Sequence, residues 1–231
     1  SLLNEGRGTH FILTPVSPLL ADDIDQSSKD KASPMTKALL GFVNTMTPDH
    51  SPPAIVPAFR DWKTGETGED VVAVGEFFLP EEFENADHHF RGSFDEYGQF
   101  RGTVSIYGEE TTNYVVPWSG GQGMPARCGP FNFQLANVMG NKPDTTLPAE
   151  DWARLTAKMD RIGGLYIYRD GVRILPYGNT DFDWLDIEAN RTKGLSYYYW
   201  SHRRMFGVVE ITGACNNQLT ERAGREGFRE N

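Results

Sequence analysis

Pro148-Ala-Glu-Asp-Trp-Ala-Arg-Leu-Thr-Ala-Lys-Met-Asp-Arg-Ile-Gly163, running directly into Gly164-Leu-Tyr-Ile-Tyr-Arg-Asp-Gly-Val-Arg-Ile-Leu175, decides the fold class of this 231-residue chain. Trp152, Leu155, Met159 and Ile162 recur at the spacing of one helical face. Pro148 suits a first turn, where no backbone N–H is needed, and Glu150 and Asp151 sit against the positive end of the helix dipole. Gly163-Gly164 stops the helix. Beyond it the apolar period falls to two. Residues 165–168 and 172–175 read as strands, and Asp170-Gly171 as the tight turn between them. A helix delivered straight into a hairpin predicts that the two pack together.

Upstream, residues 131–135 alternate as a strand, and 89–95, 99–107 and 111–118 form a meander with a turn at Glu96-Tyr97-Gly98. Residues 71–74 with Phe77 and Phe78 read as another strand, and Leu79-Pro80 opens a short helical turn. Ser33 is a favoured cap for a helix starting at Pro34, with Met35, Leu39, Phe42, Val43 and Met46 on one face and prolines 48, 52, 53 and 57 ending it. Residues 22–31 form a polar link, and 8–14 an apolar strand stopped by Pro15 and Pro18. Downstream, 181–189 is a loop with a helical turn anchored by Trp184 and Leu185, and 197–200 and 205–211 are the last strands. Runs of strands and helices with short antiparallel connections predict an α+β fold, a mixed and largely antiparallel sheet with helices on one face.

The net charge of −10, from 22 basic and 32 acidic residues, argues against sequence-independent nucleic-acid binding, where phosphate neutralisation dominates. His202-Arg203-Arg204 is the densest basic patch. No apolar run is long enough to span a bilayer, and no signal peptide opens the chain. Its two cysteines, Cys128 and Cys215, are far apart and lack metal-ligand spacing, so a reduced, cytoplasmic setting is the simplest reading.

Several residues invite a catalytic reading, and each has a plainer one. His88 and His89 are strand neighbours that face opposite sides, so a solvated edge is expected rather than a metal pair. The Gly120-Gly-Gln-Gly123 loop lacks the Lys-Ser/Thr ending of a phosphate cradle and reads as an ordinary loop. Asp181, Asp183, Asp186 and Glu188 offer carboxylates for glycoside hydrolysis, but their spacing equally fits an acidic surface loop, to which Arg169 and Arg173 would pair. No complete catalytic constellation emerges. The closing stretch Leu219-Thr-Glu-Arg-Ala-Gly-Arg-Glu-Gly-Phe228 places Arg222 and Arg225 beside flexible glycines. That layout offers a guanidinium to an anion, which need not belong to this chain; the alternative is a frayed terminus.

Three blocks resemble the transducer region of GHKL ATPases, the superfamily of gyrase B subunits, MutL, MORC proteins and heat-shock-90 chaperones. They are Gly163-Gly-Leu-Tyr-Ile-Tyr-Arg-Asp-Gly-Val-Arg173, Phe206-Gly-Val-Val-Glu-Ile211 and the closing stretch 219–228. The resemblance implies a bacterial ATP-binding protein in which residues 1–20 are the closing strand of a truncated Bergerat-type ATP-binding domain, 21–70 a linker and helix, and 71–231 a transducer-like domain. It implies a fold like the second domain of ribosomal protein S-five, with a left-handed β-α-β unit that the helix at 148–162 and the strand at 164 would form. ATP and Mg belong to the preceding domain of the full-length protein, not to this segment. The segment would contribute one arginine to the γ-phosphate: Arg225 by the motif match, with Arg222 as second choice. Partners implied are that preceding domain and a homodimer of the full-length protein, in a chaperone-like role in the cytoplasm with no membrane contact. The competing expectation is a stand-alone interaction or ligand-binding module whose aromatic surface, Tyr197, Tyr198, Tyr199 and Trp200, meets a partner.

Overall fold

A computed structural model describes residues 8–25, 32–47, 55–62, 68–72, 75–194, 200–223 and 227–229. Two short helices come first, α1 (Pro18–Asp25) and α2 (Pro34–Leu39), then a small two-stranded ladder, β1 (Arg60–Asp61) with β2 (Glu69–Asp70). Next are α3 (Pro80–Glu84) and the strands β3 (His88–Phe94), β4 (Phe100–Ile106), β5 (Glu109–Val116) and β6 (Phe131–Asn137). The second half holds α4 (Ala149–Ile162), β7 (Gly164–Arg169), β8 (Val172–Arg173), α5 (Ile187–Lys193) and β9 (Met205–Ile211). The fold is α+β. Seven strands form one sheet in the order β5-β4-β3-β6-β9-β7-β8, and every pairing in it is antiparallel except β7 with β9.

Strand alternation divides the core into two layers. Tyr166, Tyr168, Phe206 and Val208 point to one face, where Leu155, Met159 and Ile162 of α4, Phe83 of α3 and Leu40 and Met46 close over them. Leu165, Ile167, Met205, Val209 and Ile211 point to the other, covered by Trp184, Ile187, Trp200, Leu219 and Phe228. The central strands are therefore apolar on both sides. Burying each such side chain stabilises the fold by about 1.5–3 kcal/mol.

The helix expected at 148–162 forms as α4, with Gly163 at its C-terminal cap and Pro148 at its N-terminal cap rather than in the first turn. It is not a β-α-β crossover, however. It joins β6 to β7, which run in opposite directions on either side of β9; the parallel neighbours are β7 and β9, linked through β8 and α5. The early helix is shorter than its apolar period predicts. Ser33 caps it, its Oγ accepting from the Thr36 N–H at 3.0 Å, but it ends at Leu39. Gly41 then turns the chain with φ +66°, and a Cβ there would lie 2.4 Å from the Phe77 ring. The freed residues extend the sheet instead: Val43 bridges Val172, and the Arg173 N–H donates to Phe42 O at 3.1 Å. Phe77 and Phe78 are core residues outside any strand, and residues 73–74 lie outside the described set. Among the described residues no helix is long and apolar enough to cross a membrane.

Candidate functional site

The first block is a hairpin braced from within. Tyr166 and Tyr168 lie on the α4 face, donating to Ile162 O at 2.6 Å and Gly41 O at 2.7 Å. Burial pushes the Tyr166 phenol up to about 12, against a smaller opposing pull from Arg173, and holds the Tyr168 phenol well above its ordinary value. Both hold their protons as structural donors. Arg173, 6% exposed, sits 4.5 Å over the Tyr166 ring. Its guanidinium donates to the carbonyls of Lys37 and Leu40 at 2.7 Å each, to Tyr177 O at 3.1 Å and to Asn179 Oδ1 at 2.8 Å. Lys37 O and Leu40 O are the orphan acceptors at the end of α2, so Arg173 caps that helix.

Arg169 turns to the closing stretch. Its Nη1 donates to Leu219 O at 2.9 Å and Glu221 Oε1 at 3.1 Å, with Nη2 3.4 Å from Asn216 O. The expectation that Arg169 and Arg173 pair with the acids at 181–188 is thus corrected. Both are used up by carbonyls and, for Arg169, by Glu221. Asp183 instead accepts from the Glu188 N–H at the start of α5.

Held by Arg169, the closing stretch folds back on itself. Glu221 bridges Phe228 antiparallel, the Arg222 N–H donates to Gly227 O at 3.0 Å, and the Arg229 N–H to Thr220 O at 2.9 Å. The Phe228 N–H reaches Tyr177 Oη at 3.3 Å, and its ring packs 5.7 Å from that of Tyr177. Arg222 is exposed, and its guanidinium has no ion-pair partner among the described residues. Arg225 lies outside the described residues. The described part of the site is therefore a loop pinned at its base that leaves Arg222 exposed, with a strand end and a hairpin beneath it.

The remaining expected residues do not assemble into chemistry. His88 and His89 do face opposite ways, but they are each 8% exposed on an interior strand rather than at a solvated edge. His88 packs near Trp200 and Tyr107, and His89 against Phe83. The reason is the position of β3, which is flanked by β4 and β6. Gly120 and Gly121 lie against the Trp118 ring, where any Cβ would come within 2.6–2.7 Å of it, so that loop wraps an indole. Burial pushes the Glu188 carboxyl up, but hydrogen bonds from Ser201 and the His202 backbone, with Arg191 alongside, outweigh it and hold it below the usual range. That direction is opposite to what a general acid needs. Trp200 packs inward on Phe90, 5.1 Å between rings; Tyr197, Tyr198 and Tyr199 lie outside the described residues. Leu185 is 44% exposed, so the anchor is Trp184, which donates to Leu165 O at 3.3 Å. No group of His, Cys, Asp and Glu among the described residues could hold a metal ion.

No protein-family model, curated protein or solved structure matches the chain. What sequence reasoning missed is the link between Arg169 and Glu221. Opposite charges stood in both blocks, but nothing local joins residues 52 positions apart.

Proposed function

We propose that this chain is the transducer segment of a GHKL-type ATPase of the gyrase B, MutL, MORC and heat-shock-90 kind. It would couple ATP binding and hydrolysis in a preceding nucleotide domain to conformational change. The observation that carries the reading is the union of its three motif blocks. β7 of the first lies parallel beside β9 of the second, and Arg169 of the first grips Leu219 and Glu221 of the third. Blocks so distant in sequence have no local reason to meet. A further support is the extended segment at Phe11, Ile12 and Leu13, which are 83%, 75% and 74% exposed and pair with no strand among the described residues. Such a segment suits the sheet of another domain. The ribosomal-protein-S-five-like part of the reading keeps as its support the mixed, largely antiparallel sheet with α4 on one face, since α4 is not the crossover expected there.

In this reading the 221–228 loop carries Arg225, or in its place Arg222, to the γ-phosphate held next door. A planar guanidinium fork stabilises phosphate charge there once the two domains dock. In this reading ATP and Mg are not bound by the segment itself, whose glycine loop wraps the Trp118 ring. Those groups fall to the preceding domain, in a cytoplasmic full-length homodimer. In the full-length protein, replacing the contacting arginine by alanine, Arg225→Ala or else Arg222→Ala, lowers ATP turnover roughly 10²–10³-fold while ATP binding persists. Unchanged turnover in both variants overturns the reading.

A second reading has its own observation. All of β5 is exposed along the open edge of the sheet, with Tyr114, Val115, Val116 and Trp118 between 45% and 49% exposed. An open edge can accept a partner's strand, which favours an interaction module without catalysis. It gains if the full-length protein fails to bind ATP.

A further inference from the structure

We propose that Cys128 and Cys215 form a reversible disulfide that staples the loop before β6 to the loop after β9. They are the chain's only two cysteines, both are free thiols in the structure, and they lie far apart in sequence. Asn216 brings their loops together. Its side chain is 2% exposed, and its Nδ2 donates to Cys128 O at 2.6 Å and Pro130 O at 2.8 Å, while its Oδ1 accepts from the Thr212 N–H at 2.8 Å. Next to this clasp the main chains touch: a Cβ on Gly129 would lie 2.5 Å from Cys215 O. A disulfide spans Cα atoms about 4.4–6.8 Å apart, the scale of two main chains in contact.

Both loops are also held still. Gly129 N–H donates to Ala126 O at 3.0 Å, and Cys215 N–H to Thr212 Oγ1 at 3.1 Å. The two cysteine loops therefore lie side by side at Gly129 and Cys215 O, and the exposure of the two residues differs in a useful way. Cys215 is exposed and Cys128 half-buried. A peroxide is the oxidant this arrangement needs. The Cys215 thiolate attacks a peroxide oxygen, the O–O bond breaks, and hydroxide leaves a sulfenic acid behind. The Cys128 thiolate then attacks that sulfur, the S–O bond breaks, and the S–S bond forms as the second hydroxide leaves. With the two thiol protons, two thiols and one hydrogen peroxide give one disulfide and two waters. The staple ends close to Leu219, whose carbonyl Arg169 holds, so oxidation would fix the base of the closing loop. None of this depends on the ATPase reading.

The test is titration of the folded 231-residue chain with hydrogen peroxide, alkylation of remaining thiols, and peptide mapping without reduction. The expected result is loss of both free thiols, one cross-linked Cys128–Cys215 peptide pair in monomeric protein, and full recovery with dithiothreitol. Cross-linking in the urea-unfolded chain should be slower by about tenfold or more, because the native loops are pre-oriented. In Cys128→Ser the intermediate has no resolving thiol, so Cys215 goes on to sulfinic acid or to intermolecular dimers. The proposal is overturned if Cys128 stays alkylatable in the wild type, if the product is a Cys215–Cys215 dimer, or if the unfolded chain cross-links as fast.

Discussion

At the scale of single residues, Arg173 shows why a buried cation need not have a carboxylate. Its charge is met by three backbone carbonyls, an amide oxygen and the face of Tyr166, which together satisfy the fixed fork of the guanidinium. Arg173→Met leaves the carbonyls of Lys37 and Leu40 without these donors, in a site with little access to water. A buried acceptor left without its donor costs about 1–3 kcal/mol, read as a fall in stability by urea denaturation. Arg173→Lys should recover little of it, since an ammonium cannot span all four acceptors. The sequence showed the arginine and the nearby acids but not its partners. Every residue carries a carbonyl, so no letter in a sequence marks the ones that matter.

At the scale of elements, the sheet is held by close approach as well as by side-chain burial. Gly207 of β9 lies against β6, where a Cβ would fall 2.3 Å from Gln134 O and 2.8 Å from the Leu135 Cα. Gly207→Ala must push the two central strands apart, an overpacking penalty of about 1–3 kcal/mol or more. Gly194→Ala, which meets open space, is the matched control and should leave the urea midpoint nearly unmoved. Elements with a strong local signal were legible: the stripe and C-terminal cap of α4, the Asp170-Gly171 turn and the β3–β4 hairpin all stand where their residues predict. The end of α2 was not. Its apolar period continues past Gly41, but the Phe77 ring occupies the space a continuing helix would need, and Val43 leaves to pair with Val172.

At the scale of the whole molecule, the sheet has two differently covered faces, and pH acts on the fold through one of them. His89 lies on the α3 side against Phe83, and burial lowers its pKa below 6.5, with Arg91 adding to this and Glu84 and Glu110 opposing it. The folded chain therefore binds fewer protons at this site than the unfolded chain between the lowered value and 6.5. Stability from this site is complete above 6.5 and is lost as pH falls toward the folded value. Urea midpoints should drop between pH 7.5 and 5.5, and the drop should shrink in His89→Gln. An equal drop in both proteins would remove His89 as the cause. Glu188, whose pKa is lowered, loses its stabilising contribution only at more acid pH, outside this window.

Taken alone, the sequence determined the α+β class, the main hairpins and the central helix. Those features depend on local period, caps and turn chemistry, which neighbouring residues carry among themselves. Tertiary structure alone decided that β7 runs parallel to β9, that α4 joins antiparallel strands, and that β3 buries both of its histidines. It also decided that Arg169 clasps Glu221 and that the two cysteine loops meet across Asn216. These are pairings between groups tens of residues apart, and their energies depend on distance in space, which a one-dimensional pattern does not hold.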